Sequence, residues 1–112
     1  MSADPSDMLQ HLSQWIDEAN GLKSAGMQVY ERTIVKLAEE VGEVGNALIG
    51  IYGQNPRKGF YSGREQLVKE LLDVALTALG AVEHLHSNCG MALQHLNDHI
   101  ATVHERAFDA DR

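Results

Sequence analysis

Two short acidic motifs are the part of this sequence best suited to chemistry. The first contains Glu39, Glu40 and Glu43, and the second contains Glu70 and Asp73. Residues three positions apart are neighbours on a helix surface, so Glu40 with Glu43, and Glu70 with Asp73, can each offer oxygen atoms to one ion. Carboxylate oxygens suit Mg²⁺, or Mn²⁺ in its place, better than Zn²⁺. The spacing therefore predicts two half-sites for a divalent cation.

The apolar pattern predicts four helices that carry and surround these motifs. Apolar residues recur at three- and four-residue spacing over about residues 5–20, 28–52, 63–86 and 91–108. Gly, Pro, Asn and Ser crowd together over residues 53–64, which predicts one clear loop. Ser62, with Glu65 three residues later, predicts the cap of the third helix. We therefore expect an all-α, four-helix bundle-like fold.

The position of the acidic residues relative to the apolar stripes predicts where they meet. Projection at about 100° per residue places Glu40 and Glu70 beside the apolar stripes of helices two and three. If these helices pack antiparallel, the two carboxylate pairs converge at their seam. The alternative for the first motif is an ordinary solvated helix face supported by Lys36. Glu70 and Asp73 favour the cation site, because carboxylates within an apolar run cost free energy unless something binds them.

Composition limits the classes of function. A chain of 112 residues is the size of one domain, so residues 1–112 are predicted to form a single domain. The net charge of -7 argues against a nucleic-acid partner, which would require an excess of Lys and Arg. No apolar run approaches the length of a membrane span, and the single cysteine, Cys89, cannot form an internal disulfide. We therefore expect a cytoplasmic protein that binds neither nucleic acid nor a membrane.

The two motifs together resemble the signature of a known superfamily. The pattern E-E-x-x-E followed, after 26 residues, by E-x-x-D is similar to that of the all-alpha nucleoside-triphosphate pyrophosphohydrolases. This superfamily includes MazG, dimeric dUTPases and phosphoribosyl-ATP pyrophosphatase. The resemblance covers residues 15–106, although only the acidic motifs are specific. It implies a MazG-like domain that assembles as a homodimer or homotetramer.

The resemblance also implies an activity and its residues. Members cleave a nucleoside triphosphate between the α- and β-phosphates, giving a monophosphate and pyrophosphate, and here the expected role is nucleotide-pool cleansing. By this resemblance the magnesium ligands are Glu40, Glu43, Glu70 and Asp73. Glu39 is expected to hold a further ion or to orient the attacking water, and Lys36 occupies the place of a basic residue near the acidic motif.

Contacts to the rest of the nucleotide are open to two interpretations. Trp15 resembles an aromatic residue that related proteins place near the base, but its spacing also fits an anchor in the core. Arg57, Lys58 and Arg64 are either phosphate contacts or ordinary loop charges. The last helix lacks the lysines that family members commonly use for phosphate.

Two other functions remain open at this stage. Phosphoribosyl-ATP pyrophosphatase has a similar length and similar acidic motifs, but its usual histidine after the second motif is missing from DVALTAL. The other alternative is a non-catalytic helical module that binds a metal or nucleotide and oligomerises. Apolar stripes on all four helices leave surface to cover, which favours oligomerisation in either case.

Overall fold

The computed structural model describes residues 4–109, and helices are the regular structure in this range, with no strand. Four helical stretches follow each other, and the second is divided by a wider turn. The elements are α1 (Pro5–Ala19), α2 (Ala25–Tyr30), a π-helical segment (Glu31–Val35), α3 (Lys36–Tyr52), α4 (Arg64–Leu85) and α5 (Ala92–Phe108). The all-α prediction is confirmed, and the predicted boundaries hold to within a few residues. No helix in the described range is long and apolar enough to cross a membrane.

Polar residues begin the first two helices. Asp4 Oδ1 accepts a hydrogen bond from Asp7 N at 2.9 Å, and Pro5 follows in the first turn, where its missing N–H costs nothing. Ser24 Oγ accepts from Met27 N at 3.2 Å and begins α2. These caps fix where α1 and α2 begin.

The predicted cap of α4 is wrong. The cap position is Gly63, which makes no side-chain hydrogen bond, and Ser62 lies one residue earlier. The Ser62 hydroxyl is buried without a hydrogen-bond partner among the described residues. Local spacing suggested a capping box, but packing of the loop against α3 places Ser62 near Gly50 instead, where an added Cβ would come within 2.7 Å of Ser62 Cβ.

Helix α4 is the central element of the fold. It packs against α3, α1 and the π-helical segment, whereas α5 packs mainly against α4 and α1. The short loop after α3 makes α3 and α4 antiparallel neighbours, as expected for a helical bundle. Gly53 ends α3 at φ 61°, a left-handed conformation that glycine adopts without a steric penalty.

The apolar stripes are largely exposed on the single chain. The buried apolar side chains in the described range are Leu9, Ala47, Ala81 and Ala92. Stripe residues such as Ile34, Val41 and Ile100 are more than half exposed. The chain exposes 8298 Å², whereas a folded monomer of 12.3 kDa exposes about 6100 Å². The single chain therefore leaves an unusually large apolar surface uncovered.

Candidate metal centre

Three of the predicted ligands lie together at the seam between α3 and α4. Glu40 projects from α3, and Glu70 and Asp73 project from adjacent turns of α4. One carboxylate oxygen from each residue lies within 4.8 Å of the other two. The antiparallel packing therefore brings one residue of the first motif against both residues of the second. We call these three residues the acidic cluster.

The acidic cluster is partly shielded from water. Glu70 is only 9% exposed, and the Glu40 side chain is 16% exposed. Gln66 Nε2 donates a short hydrogen bond to Glu70 Oε1. Carboxylates this close repel each other, and partial burial strengthens the repulsion, so a bound cation would stabilise the arrangement. Since every donor is a carboxylate oxygen, the residues fit Mg²⁺ or Mn²⁺.

Lys36 provides a positive charge beside the acidic cluster. Its Nζ lies 2.7 Å from Glu39 Oε1 and 3.6 Å from Glu40 Oε1. The hydrogen bond to Glu39, together with the charges of Glu39 and Glu40, raises the pKa of Lys36 against a smaller opposing effect of burial. Lys36 therefore stays protonated and offsets part of the negative charge next to Glu40.

Glu39 and Glu43 lie outside the acidic cluster. The Glu39 side chain is 58% exposed and is occupied by its ion pair with Lys36. Glu43 is exposed and lines a small polar cleft that it shares with Asn46, Gln66 and Glu70. The structure thus brings together three of the four predicted ligands, and the fourth lies one helical turn further along α3.

A groove of about 550 Å³ opens beside the acidic cluster. It runs between α1, the π-helical segment and α4, and its volume lies within the range of small-molecule sites. Lys36 and Glu39 form part of its wall, and Leu76 and Thr77 lie one turn beyond Asp73 on α4. The groove and the acidic cluster are therefore joined through Lys36.

Trp15 lines this groove and is not a core anchor. Trp15 lies on α1, is 64% exposed and borders the groove. Sequence spacing could not separate the two interpretations, because the apolar stripe of α1 borders both the interior and the groove. The exposed indole is free to stack on a planar ligand.

The three cations of the central loop lie apart from both features. Arg57, Lys58 and Arg64 are exposed, and they line neither the groove nor the acidic cluster. Lys58 Nζ lies 5.8 Å from the centre of the Tyr61 ring, within reach of a cation–π contact. Arg57 and Lys58 lie in the loop, and Arg64 is the first residue of α4.

A buried polar network forms the far wall of the groove, and the sequence reasoning missed it. The Arg32 guanidinium donates to Asp17 Oδ1 at 2.7 Å, to Ser13 Oγ at 2.9 Å and to the Gly80 carbonyl at 2.9 Å. Ser13 is 1% exposed and Arg32 is 9% exposed. The members of this network come from three separate helical stretches, and no local spacing relates them. The one available signal is that the charged residue Arg32 occurs among apolar residues of the second predicted helix.

Asp17 is the shared acceptor of the network. His84 Nδ1 lies 2.8 Å from Asp17 Oδ1, and Asn88 Nδ2 donates to Asp17 Oδ2 at 2.9 Å. Burial raises the pKa of Asp17, but the hydrogen bonds from Asn88 and His84 and the charges of His84 and Arg32 together lower it below its ordinary value. The network therefore holds Asp17 as a carboxylate.

Comparison of the chain with protein-family models, curated proteins and solved structures found no match. The assignment of a function therefore depends on the arrangement of the residues described above.

Proposed function

We propose that this protein is a magnesium-dependent nucleoside-triphosphate pyrophosphohydrolase of the MazG-like kind. The observation that supports this most directly is the position of the acidic cluster next to a groove with an exposed tryptophan. Metal-binding oxygens and an aromatic surface are the two features that a nucleotide requires, for its phosphates and its base respectively. The resemblance in the two acidic motifs points to the same chemistry.

Each part of the site has a defined task in this proposal. Glu40, Glu70 and Asp73 hold the cation, and Glu43 completes the set by a contact at the edge of the cluster. A bound Mg²⁺ would neutralise phosphate charge and lower the pKa of a water molecule. Lys36 binds a phosphate oxygen, since its ammonium group faces both the groove and the cluster. Glu39 orients Lys36 and the attacking water.

The base is proposed to occupy the groove against Trp15. The groove is lined by the aliphatic side chains of Leu9, Leu12, Ile16, Val35 and Leu76, by the neutral polar groups of Ser13, Asn20 and Thr77, and by the charged residues Glu31, Arg32, Lys36 and Glu39. A planar, largely uncharged ring suits the aliphatic part of this lining, whereas the phosphates suit the part that carries Lys36. The triphosphate would then extend past Lys36 towards the acidic cluster.

The active particle is proposed to be a homodimer or homotetramer. The surface in excess of a monomer's expected value is about 2000 Å² per chain, which matches what an obligate homodimer buries. We propose that a second copy of the chain covers this surface, because other copies are present wherever the chain is made. In this assembly Arg57, Lys58 and Arg64 are candidates for phosphate contacts to the neighbouring subunit.

Hydrolysis of a panel of ribo- and deoxyribonucleoside triphosphates with Mg²⁺ tests the activity. The proposal predicts pyrophosphate and a nucleoside monophosphate as products, and chelation of the metal should stop the reaction. Release of orthophosphate would indicate a different phosphohydrolase, and binding without turnover would indicate a non-catalytic module.

Substitution of the ligands separates the site from the fold. Asp73→Asn and Glu43→Gln are expected to abolish turnover while the helical circular-dichroism signal is retained, because neither side chain belongs to the buried apolar core. Asp7→Asn, at an exposed carboxylate of α1, is the matched control and should keep full activity. Full activity of Asp73→Asn would reject the assignment.

A further inference from the structure

The helical stretch formed by the π-helical segment and α3 is held against α4 at two places. At one place, Arg32 Nη2 donates to the Gly80 carbonyl at 2.9 Å. At the other, Glu40 meets Asp73 in the acidic cluster. Because the helices are antiparallel, the interval between Arg32 and Glu40 must match the interval between Asp73 and Gly80.

The two intervals differ by one residue. Glu40 follows Arg32 by eight positions, whereas Gly80 follows Asp73 by seven. In a regular α-helix, seven steps of about 100° end about 20° short of two full turns, so Asp73 and Gly80 share one face of α4. Eight such steps end about 80° beyond two turns, which would turn Arg32 away from the side that carries Glu40.

The π-helical segment absorbs the additional residue. Lys36 N–H donates to the Glu31 carbonyl, five residues back, instead of the four of an α-helix. Thr33 Oγ1 also donates to the Val29 carbonyl at 2.6 Å, so its hydroxyl occupies a backbone acceptor where the turn widens. With one extra residue in a single turn, eight positions cover about the rotation of seven, and both side chains point towards α4.

We propose that the π-helical segment sets the register of Glu40 and that Arg32 is a positioning residue for the metal centre. This inference rests on the proposed function, since it takes the acidic cluster to be the cation site. Arg32 is suited to the task because its planar fork bonds Asp17, Ser13 and Gly80 at once, which fixes the start of the π-helical segment. Glu40 is then held opposite Asp73 by a contact that lies two turns away.

Insertion of one alanine after Ile34, which is 57% exposed, tests the register directly. The insertion places Glu40 nine positions after Arg32, one more than the single wide turn absorbs, so Arg32 and Glu40 can no longer both keep their partners. Insertion of one alanine after Met27 in α2 is the matched control, because it lengthens the same helical stretch without altering the interval from Arg32 to Glu40. Met27 is 49% exposed.

The readout is the affinity for Mn²⁺, measured by electron paramagnetic resonance, with helicity followed by circular dichroism. Loss of a supporting contact around a metal site commonly weakens binding by about 10- to 100-fold. We expect a loss of this size for the insertion after Ile34 and less than about threefold change for the insertion after Met27. Equal Mn²⁺ affinity in the two folded insertion variants would overturn the positioning role.

A conservative substitution keeps the test valid if the variant with the insertion after Ile34 does not fold. Arg32→Lys retains the charge next to Asp17 but cannot bond all three partners of the guanidinium, so Mn²⁺ affinity should fall about tenfold with helicity preserved. Arg106→Lys on exposed α5 is the control and should bind as wild type. Unchanged affinity in Arg32→Lys rejects the positioning role alone, whereas no Mn²⁺ binding by the wild-type protein rejects the proposed site together with it.

Discussion

Arg32 and Asp17 form an ion pair between the π-helical segment and α1, with 2.7 Å between Nη1 and Oδ1. Their side chains are 10% and 22% exposed. His84 and Asn88 bond the same carboxylate from the end of α4 and the following turn. The network therefore links α1, the π-helical segment and α4 in a chain that buries few apolar side chains.

Asp17→Asn is expected to destabilise the fold in a pH-dependent way. The substitution leaves Arg32 buried without its charged partner, which costs about 3 kcal/mol at neutral pH. Since the folded protein lowers the pKa of Asp17 below its ordinary value of 3.8, the stabilisation is fully present above that value and is lost as pH falls through the lower folded value. Urea denaturation at several pH values measures the free energy of unfolding.

The difference between wild type and Asp17→Asn should therefore be large at pH 7 and shrink below about pH 4. Glu18→Gln, at the adjacent exposed carboxylate, is the control and should change the free energy of unfolding by less than about 0.5 kcal/mol. A difference that stays constant down to pH 2 would show that the Asp17 carboxylate is not the stabilising species.

Glu83 fixes the direction in which α5 leaves α4. It is 1% exposed, and its two oxygens accept from Gly90 N at 2.9 Å and Ala92 N at 2.8 Å. Glu83→Ala leaves both amides without this acceptor and should lower the free energy of unfolding by about 2–3 kcal/mol. Equilibrium urea denaturation measures the loss, with Glu65→Gln in the exposed first turn of α4 as a near-neutral control. Wild-type stability of Glu83→Ala would contradict this role.

Trp15→Ala is expected to weaken nucleotide binding without unfolding the protein. The indole is exposed in the groove, and stacking on a base contributes about 1–3 kcal/mol, so the dissociation constant should rise about tenfold. Binding is measured by calorimetry with a non-hydrolysable triphosphate. Tyr52→Ala, at an aromatic side chain that is 74% exposed and lies outside the groove, should bind as wild type. Equal affinity in both variants would remove Trp15 from the base site.

Sedimentation velocity tests the proposed assembly. The exposed apolar stripes on α3 and α5 predict a dimer or tetramer at micromolar concentration. The reason is that each chain exposes about 2000 Å² more surface than a folded monomer of its mass. Ile100→Asp on α5 should shift the distribution towards smaller species. A stable, folded monomer at all concentrations would contradict the assembly.

The helices and the members of the acidic cluster could be predicted because both depend on local periodicity. Apolar spacing defines each helix, and the short loop between α3 and α4 makes antiparallel packing the simplest arrangement, which brings Glu40 to Glu70 and Asp73. The π-helical segment has no such signal, since it arises from the match between Arg32, Glu40 and two positions on α4. For the same reason the Asp17 network and the true cap of α4 depend on tertiary contacts that spacing does not encode.

Burial was the other quantity that the sequence could not supply. Apolar stripes on α3 and α5 indicated faces that must be covered, and Val41 is 53% exposed and Ile100 is 55% exposed in the single chain. Periodicity indicates which face of a helix avoids water but not whether the same chain or another copy covers it.

The most direct test of the metal centre is anomalous diffraction from crystals of the protein soaked with Mn²⁺. We predict an anomalous peak between the carboxylates of Glu40, Glu70 and Asp73, and its loss in crystals of Asp73→Asn. A well-ordered structure in which Mn²⁺ binds elsewhere, or in which these three carboxylates remain free of metal at millimolar Mn²⁺, would contradict the account.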